Sequence, residues 1–290
     1  MMLARVAVRS RTRLSPSFVR LVLGGPELAG FGVAGPVLDQ RIKLILPGPA
    51  GLPQLRPECW WADFQALPED GRGAVRTYTL RAITAADELV VDVVVHPGAH
   101  GPGSAWAGGA APGDEVLVLV PAQGAPASGI EWAPGEAGRL LIVADETGVP
   151  AACSILESLP AGANGAAFLE VPLAEDVQDV TAPPGVDVRW LPRAGRPVGE
   201  LATTAVVEHL GGGAVPEIDE EEADLLWETP TYSSSGEAIT DRPAAGAYAW
   251  IAGEARMVTG LRRHLVGEIG MPRQQVAFMG YWREGVAMRG

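Results

Sequence analysis

The string Arg76-Thr77-Tyr78-Thr79-Leu80-Arg81 holds residue types suited to an anionic, planar, redox-active ligand. On a strand, side chains alternate between faces, so Arg76, Tyr78 and Leu80 share one side while Thr77, Thr79 and Arg81 share the other. A flavin nucleotide requires a cation at its pyrophosphate, an aromatic surface beside its ring system, and a hydroxyl or amide near its redox-active nitrogen. Arg76, Tyr78 and Thr79 offer these types within four residues. The same string also reads as a half-exposed strand with an ordinary surface Arg–Tyr pair, and spacing alone leaves both readings open.

A second string, His96-Pro97-Gly98-Ala99-His100-Gly101-Pro102-Gly103-Ser104-Ala105-Trp106, follows about twenty residues later. It joins a strand to a short helix predicted over SAWAGGA, with Ser104 as a favourable N-cap type. Unpaired N–H groups at a helix start carry the positive end of the dipole and bind phosphate; a plain Gly/Pro loop before a capped helix is the alternative. A third string, Ala144-Asp145-Glu146-Thr147-Gly148-Val149-Pro150-Ala151, follows an apolar strand. Thr147 is expected to cap the next helix, with Pro150 in its first turn. The carboxyl end of such a strand is where α/β sheets bind ligands. No GxGxxG stands here, so a purely structural helix start fits equally well. Tyr281-Trp282, in Gly280-Tyr281-Trp282-Arg283, are two aromatics expected just past a final strand, suited to core packing or to covering a planar ring.

The elements that must position these strings fall into two classes. Residues 1–130 read as short strands at 4–9, 18–23, 41–46, 74–81, 88–95 and 115–120, separated by turn residues. About six such strands with one brief helical insert predict a small antiparallel β-barrel. A Gly/Pro-rich linker is expected at 129–138. From 139 to 290, strands at 139–144, 165–171, 186–191, 247–253 and 274–280 alternate with helices expected at 147–159, near 198–210 and at 254–269. That alternation predicts an α/β, Rossmann-like parallel sheet. Residues 211–245 interrupt it with GGG, the acidic run Asp219-Glu220-Glu221-Glu222 and SSSG. They are expected to form an irregular insertion, a solvated surface or alternatively a lid, with Trp227 and Tyr232 packing down.

Composition excludes several classes. The 290 residues carry a net charge of −13. Lys+Arg and Asp+Glu number 11 each in residues 1–130, and 11 against 24 in the remainder. That acidic excess is the opposite of a nucleic-acid footprint, and it leaves the N-terminal arginines free to face an anion. No apolar run reaches the about 18 residues of a membrane span. The opening MMLARVAVRSRTRL reads as a strand with exposed arginines rather than a secretory signal or a transit peptide, so a cytoplasmic location is expected. Two cysteines, Cys59 and Cys153, are too few for an iron–sulfur cluster, which takes about four ligands, and the four histidines show no metal-binding spacing.

Taken together, DQRIKLILP at 39–47, WWADFQALPEDGRGAVRTYTLR at 60–81, GPGSAWA at 101–107, LIVADETGVPA at 141–151, AWIAGEA at 249–255 and GYWREG at 280–285 resemble the siderophore-interacting proteins, FAD-dependent ferric-siderophore reductases of the ferredoxin-reductase type. The resemblance implies an FAD-binding barrel followed by an NAD(P)H-binding domain. It implies that Arg76, Tyr78 and Thr79 belong to the flavin motif, that Gly103, Ser104 and Ala105, with Trp106 following, form the pyrophosphate loop, and that His96 lies beside the flavin. Asp145, Glu146, Thr147, Gly253 and Glu254 match the nicotinamide side, and Tyr281 and Trp282 an aromatic pair near the isoalloxazine. Gly103 stands where an alanine is more usual. The implied substrate is a ferric siderophore, often anionic, for which Arg41, Lys43, Arg56 and Arg72 are candidate contacts, and Arg193 is a candidate for a 2′-phosphate. The electron donor is NADH or NADPH. Two competing readings are a general flavin reductase or reductase of a protein partner, and a non-catalytic siderophore-binding protein.

Overall fold

The computed structural model describes residues 1–95, 101–211, 213, 215, 227–229, 232–233 and 246–286. The chain divides between Ile130 and Glu131 into two compact units.

The first unit is one curled antiparallel sheet. Its strands are β1 (Met2–Ser15), β2 (Phe18–Gly24), β3 (Arg41–Leu46), β4 (Ala74–Thr79), β5 (Ala82–Ile83), β6 (Leu89–Val94) and β7 (Glu115–Val120). They lie in the order β4-β3-β7-β1-β2-β6-β5. The two edge strands, β4 and β5, are consecutive in the chain. At Leu80 the backbone still donates to Gln40, beside β3, and at Arg81 it donates to Val90 of β6. The run expected as a single strand over 74–81 therefore splits, because it passes from one edge of the sheet to the other. That crossing draws the two edges together.

Alternation explains the interior. Ala4, Val6 and Val8 of β1 point inward while Arg5, Ala7 and Arg9 do not. Ile42, Leu44 and Leu46 of β3 and Val116, Val118 and Val120 of β7 complete the same core. On the outer face Ile45, Val75 and Leu117 pack under Phe64 of helix α1 (Trp60–Ala66). A second helix, α2 (Pro102–Gly109), lies against the barrel through Ala107 and Trp106. It begins two residues before Ser104 with Gly101 at the N-cap, so Ser104 is not the cap and no side chain takes that role.

The second unit is built on β8 (Arg139–Ala144), β9 (Gly165–Val171), β10 (Val186–Pro192), β11 (Trp227–Thr229), β12 (Tyr232–Ser233), β13 (Ala247–Glu254) and β14 (Val276–Trp282). The order is β10-β9-β8-β13-β14-β11-β12, parallel through the first five, with β11 and β12 added antiparallel on the β14 side. Being covered on both faces, the central strands are continuous apolar runs such as LLIVA. Helices α3 (Val149–Ser158), α4 (Glu200–Leu210) and α5 (Ala255–Arg262) connect them. The helical run expected over 254–269 changes at Arg263 into a π-helical turn ending at Glu268.

Helix α3 starts at Val149 rather than Thr147, for a reason given below. Tyr281 and Trp282 lie within β14, not beyond it. The segment expected to be irregular contributes β11 and β12, whereas the acidic run Asp219–Glu222 lies outside the described residues. No helix among the described residues is long and apolar enough to cross a membrane.

One ion pair braces the barrel wall. Arg20 of β2 stands opposite Asp92 of β6 and forks onto it with two 2.7 Å hydrogen bonds. Asp92 is 3% exposed, and Arg81 reaches the same carboxylate at 3.8 Å. Removing one member of a buried pair leaves the other charge desolvated. Asp92→Ala should therefore destabilise the protein by about 2–3 kcal/mol in urea unfolding, below the fully buried range of about 3–5 kcal/mol because Arg20 keeps partial access to water.

Candidate functional site

In the first unit, three features converge at the start of α2. Arg76 and Tyr78, on the inward face of β4, both reach the first turn of the helix. A Cβ built on Gly103 would stand 2.1 Å from the Tyr78 hydroxyl oxygen and 3.6 Å from Arg76 Cγ. Glycine at this place thus lets the Tyr78 ring lie directly against the helix backbone. The N–H groups of Gly103 and Ser104 fall in the first turn, where a helix supplies them no acceptor. No acidic residue sits in that turn.

Arg76 is half-buried and donates 2.7 Å to the Val75 carbonyl. It has no carboxylate partner among the described residues. Burial draws its pKa below the usual guanidinium range, while Tyr78 pulls the other way. Burial pushes the Tyr78 phenol up to about 12, so it stays neutral at physiological pH. A cation without a counter-ion beside a helix start makes a cradle for a phosphate. That donor set fits a dinucleotide pyrophosphate.

Other expected residues of this unit are placed differently. Thr79 is buried on the opposite face of β4 and pairs in register with Arg41, so its side chain does not join Arg76 and Tyr78. Ala105 is exposed, and Trp106 packs against the barrel core, which makes it an anchor of α2. His96 lies outside the described residues.

Among the four cations expected to meet a substrate, Arg41 and Lys43 share the outward face of β3, where Lys43 donates 3.1 Å to Thr77. Burial, with Arg41 nearby, lowers the Lys43 pKa. Arg56 is instead clasped by Asp63 at 2.6 and 3.0 Å. Its charge is matched, and the pair holds the Asp63 carboxyl well below the usual range. Arg72 lies 5.2 Å over the Phe64 ring and reaches Glu69 at 3.4 Å. The N-terminal arginines expected to be free include Arg11 and Arg13, which donate to backbone carbonyls.

In the second unit, Asp145, Thr147, Gly253, Glu254 and Trp282 form one hydrogen-bonded assembly at the carboxyl ends of β8, β13 and β14. Asp145 is its centre. One carboxylate oxygen accepts from Thr147 N at 2.8 Å, Thr147 Oγ1 at 2.6 Å and Gly148 N at 3.3 Å. The other accepts from Glu254 N and Trp282 Nε1, each at 2.7 Å. Asp145, not Thr147, therefore organises the entry to α3. Its two-residue reach onto following N–H groups is the Asx pattern that competes with helix, which delays the helix to Val149. Burial, with Glu146 adjacent, pushes the Asp145 pKa up to about 7, against the donors on Thr147 and Trp282.

Gly253 has φ of 151°, and a Cβ there would stand 2.6 Å from Asp145 Cγ. Only glycine allows β13 to approach the carboxylate this closely. Glu254 then caps α5, accepting from Arg256 N at 2.6 Å and Met257 N at 3.3 Å, and from Glu284 N at 3.2 Å. Glu146 faces inward and forks onto Arg193 with two 2.6 Å bonds. Arg193 also lies 3.6 Å from Glu170, whose carboxylate accepts from Gly199 N and Ala202 N at the start of α4.

Two expectations change here. Asp145, Glu146 and Glu254 are buried to 2% exposure or less. Their carboxylates are occupied by protein donors, so they are not open to a ligand. Arg193, at 8% exposure, is held in its pair with Glu146 and is not placed to receive a 2′-phosphate. The buried Glu170 within an otherwise apolar strand was the sequence signal for this polar cluster.

The carboxyl ends of β8 and β13 lie at the point where strand order reverses. From β8 the chain proceeds outward through β9 and β10, then returns to β13 on the other side. Ligands of open α/β sheets bind at the carboxyl ends of the strands at such a switch point. Tyr281 stacks on Trp227 of β11 with centroids 6.0 Å apart and planes 19° apart. Trp227 sits opposite Met279 of β14, two residues before Tyr281. Sequence reading placed Trp227 only as packing.

Asp145→Asn replaces one accepting oxygen with an amide donor. Whichever way the amide turns, a donor faces either Trp282 and Glu254 or Thr147 and Gly148. The variant should lose about 2–4 kcal/mol of stability, measured by urea unfolding, from unsatisfied buried donors. An unchanged midpoint would remove Asp145 from its central place.

Comparisons with known proteins were made on this framework. Residues 7–125 match the family model "Siderophore-interacting FAD-binding domain", and residues 137–285 match "Siderophore-interacting protein". The ferric vibriobactin reductase ViuB of Vibrio cholerae is 29% identical over 94% of this chain and 86% of that protein. The NADPH-dependent ferric-chelate reductase of Escherichia coli is 29% identical over 93% of this chain and 89% of that protein. The crystal structure of a siderophore utilization protein from T. fusca superposes with a TM-score of 0.70 at 29% identity, covering 99% of this chain and 96% of that one. With FAD-binding and siderophore-interacting models matched in succession along its length, the chain belongs to the siderophore-interacting protein family.

Proposed function

We propose that the chain is an FAD-dependent reductase that takes electrons from NADH or NADPH, reduces ferric siderophores and releases Fe(II). The observation that carries the reading is the cradle at the start of α2, where Arg76, without a carboxylate partner among the described residues, meets an uncapped helix start and Gly103. The relatives named as ferric reductases over nearly their whole length support the choice of electron acceptor.

In this reading Arg76 and the first-turn N–H groups of Gly103 and Ser104 hold the pyrophosphate, while the Ala105 N–H donates 3.0 Å to the Gly101 carbonyl and closes the first turn behind them. Tyr78, kept neutral by burial, gives a ring face and a hydroxyl beside the flavin. Thr79 contributes through its backbone and not its side chain, and Trp106 fixes α2 to the barrel. The switch-point crevice between β8 and β13 receives the nicotinamide nucleotide, with Thr147 and Gly253 at its rim. Tyr281 and Trp282 present aromatic surface to planar rings, held by Trp227 and Asp145 respectively. Arg41 and Lys43 attract an anionic chelate, and Arg56 and Arg72 contribute less because their charges are engaged.

When bound, FAD supplies two-electron acceptance from a reduced nicotinamide and one-electron delivery to Fe(III). The protein's part is to position rings and exclude water, so no acid–base side chain is assigned to the reduction. Hard oxygen donors hold Fe(II) less strongly than Fe(III), so reduction loosens the chelate.

Anaerobic titration of the purified protein tests this. The preparation should be yellow with bound FAD, and NADH or NADPH should bleach it. Ferric siderophore should restore the colour at about two ferric equivalents per reduced flavin, the count set by one-electron delivery. If simple ferric salts and ferricyanide restore it as fast as every siderophore tested, the protein is a general flavin reductase. A colourless preparation that FAD does not reconstitute points to siderophore binding without catalysis.

A further inference from the structure

Helix α2 lacks most devices that hold a helix in place. It has eight residues, ends in Gly108-Gly109, has no side-chain cap, and carries no basic residue in its last turn. Helices this short are marginal in isolation, and each interior glycine costs about 1 kcal/mol relative to alanine. Its position is therefore set by what it touches. Ala107 and Trp106 fix its underside on the barrel.

Its far end is held from a distant strand. Arg11 of β1 donates from Nε to the Ala107 carbonyl at 2.9 Å and from Nη2 to the Gly108 carbonyl at 2.7 Å. Such last-turn carbonyls have no intrahelical partner and carry the negative end of the dipole. A planar guanidinium forked onto two successive carbonyls fixes both the position and the tilt of the helix end, which a point charge would not do. Arg11 thus supplies the C-terminal cation that α2 itself does not encode.

We propose that Arg11 is a positioning residue for FAD, acting through α2 on the pyrophosphate cradle at the helix's opposite end. The inference rests on assigning that cradle to the FAD pyrophosphate. Eight residues span about 12 Å, so a tilt of about 10° at the Arg11 end moves the phosphate-facing N–H groups by about 2 Å. A displacement of that size takes a hydrogen bond outside its working distance. Arg13 is a natural control, because it lies two residues along β1 and donates to Ser15 and Pro16 within its own turn.

The test uses the full chain stripped of flavin, with FAD and riboflavin affinities measured by flavin fluorescence and the thermal midpoint of each apoprotein recorded. Arg11→Ala should raise the FAD Kd about tenfold, an estimate for losing one well-aligned phosphate contact, and leave the riboflavin Kd within about twofold, because riboflavin has no phosphate to misplace. Arg11→Lys should recover part of the loss, and Arg13→Ala should leave both affinities unchanged. An unchanged FAD Kd in Arg11→Ala overturns the proposal. So does an equal weakening of FAD and riboflavin with a lowered midpoint, which marks general loosening. Arg76→Ala separates the two layers. If it leaves FAD affinity intact, the pyrophosphate assignment falls. If it weakens FAD while Arg11→Ala is silent, only the role of Arg11 falls.

Discussion

The carboxylate of Asp145 must accept five donors at once, and the geometry at the carboxyl ends of the second unit's central strands follows from that requirement. The carboxylate follows the end of β8, and its donors come from the approach to α3, the end of β13 and the end of β14. An unmet donor in a buried place costs more than a typical hydrogen bond gains, so none of these segments can drift independently. Gly253 is required because β13 must come within reach of the carboxylate, and Glu254 then stands where it caps α5. The indole of Trp282 is aimed by the same oxygen that receives Glu254 N. Strand ends that topology alone would merely bring near one another are in this way fixed in position.

The polar support extends one layer further. Glu146, Arg193 and Glu170 form a buried chain from the end of β8 to the start of α4. Burying such charges gains little stability by itself, but breaking the chain leaves a desolvated charge. The arrangement therefore acts as a constraint on geometry. The acidic residues of the Asp145-Glu146-Thr147 string are likewise turned inward and matched by Arg193 and by backbone donors.

The barrel solves a related problem in another way. Its proposed phosphate cradle is electropositive by what is withheld: α2 has no acidic first turn and no capping side chain, and Arg76 has no carboxylate partner among the described residues. Elsewhere in the barrel, cations are neutralised at home, Arg20 by Asp92 and Arg56 by Asp63. A cradle with its charge left open binds an anion without first having to release a competing one.

Much of this protein is legible in its sequence, and the division has a physical basis. Period-two alternation and continuous apolar runs report burial on one face or two, so the antiparallel barrel and the parallel sheet could be read from β1, β3 and β8 directly. The Arg76–Tyr78 pairing followed from alternation on one strand, and the site strings were visible because their residue types are unusual for structural strands. Tertiary structure decided what each polar group does. Thr147 and Ser104 are good caps by type, yet no side chain caps either helix and Asp145 takes the Thr147 and Gly148 N–H groups just before α3, because capping depends on which donors are left unpaired in space. Arg193 and Arg56 looked available until buried or adjacent carboxylates claimed them, and Arg11 reached α2 across 96 positions of chain. Hydrophobic pattern is a local property and survives in one dimension; hydrogen-bond partnership is a property of positions brought together by folding, and only the folded chain contains it.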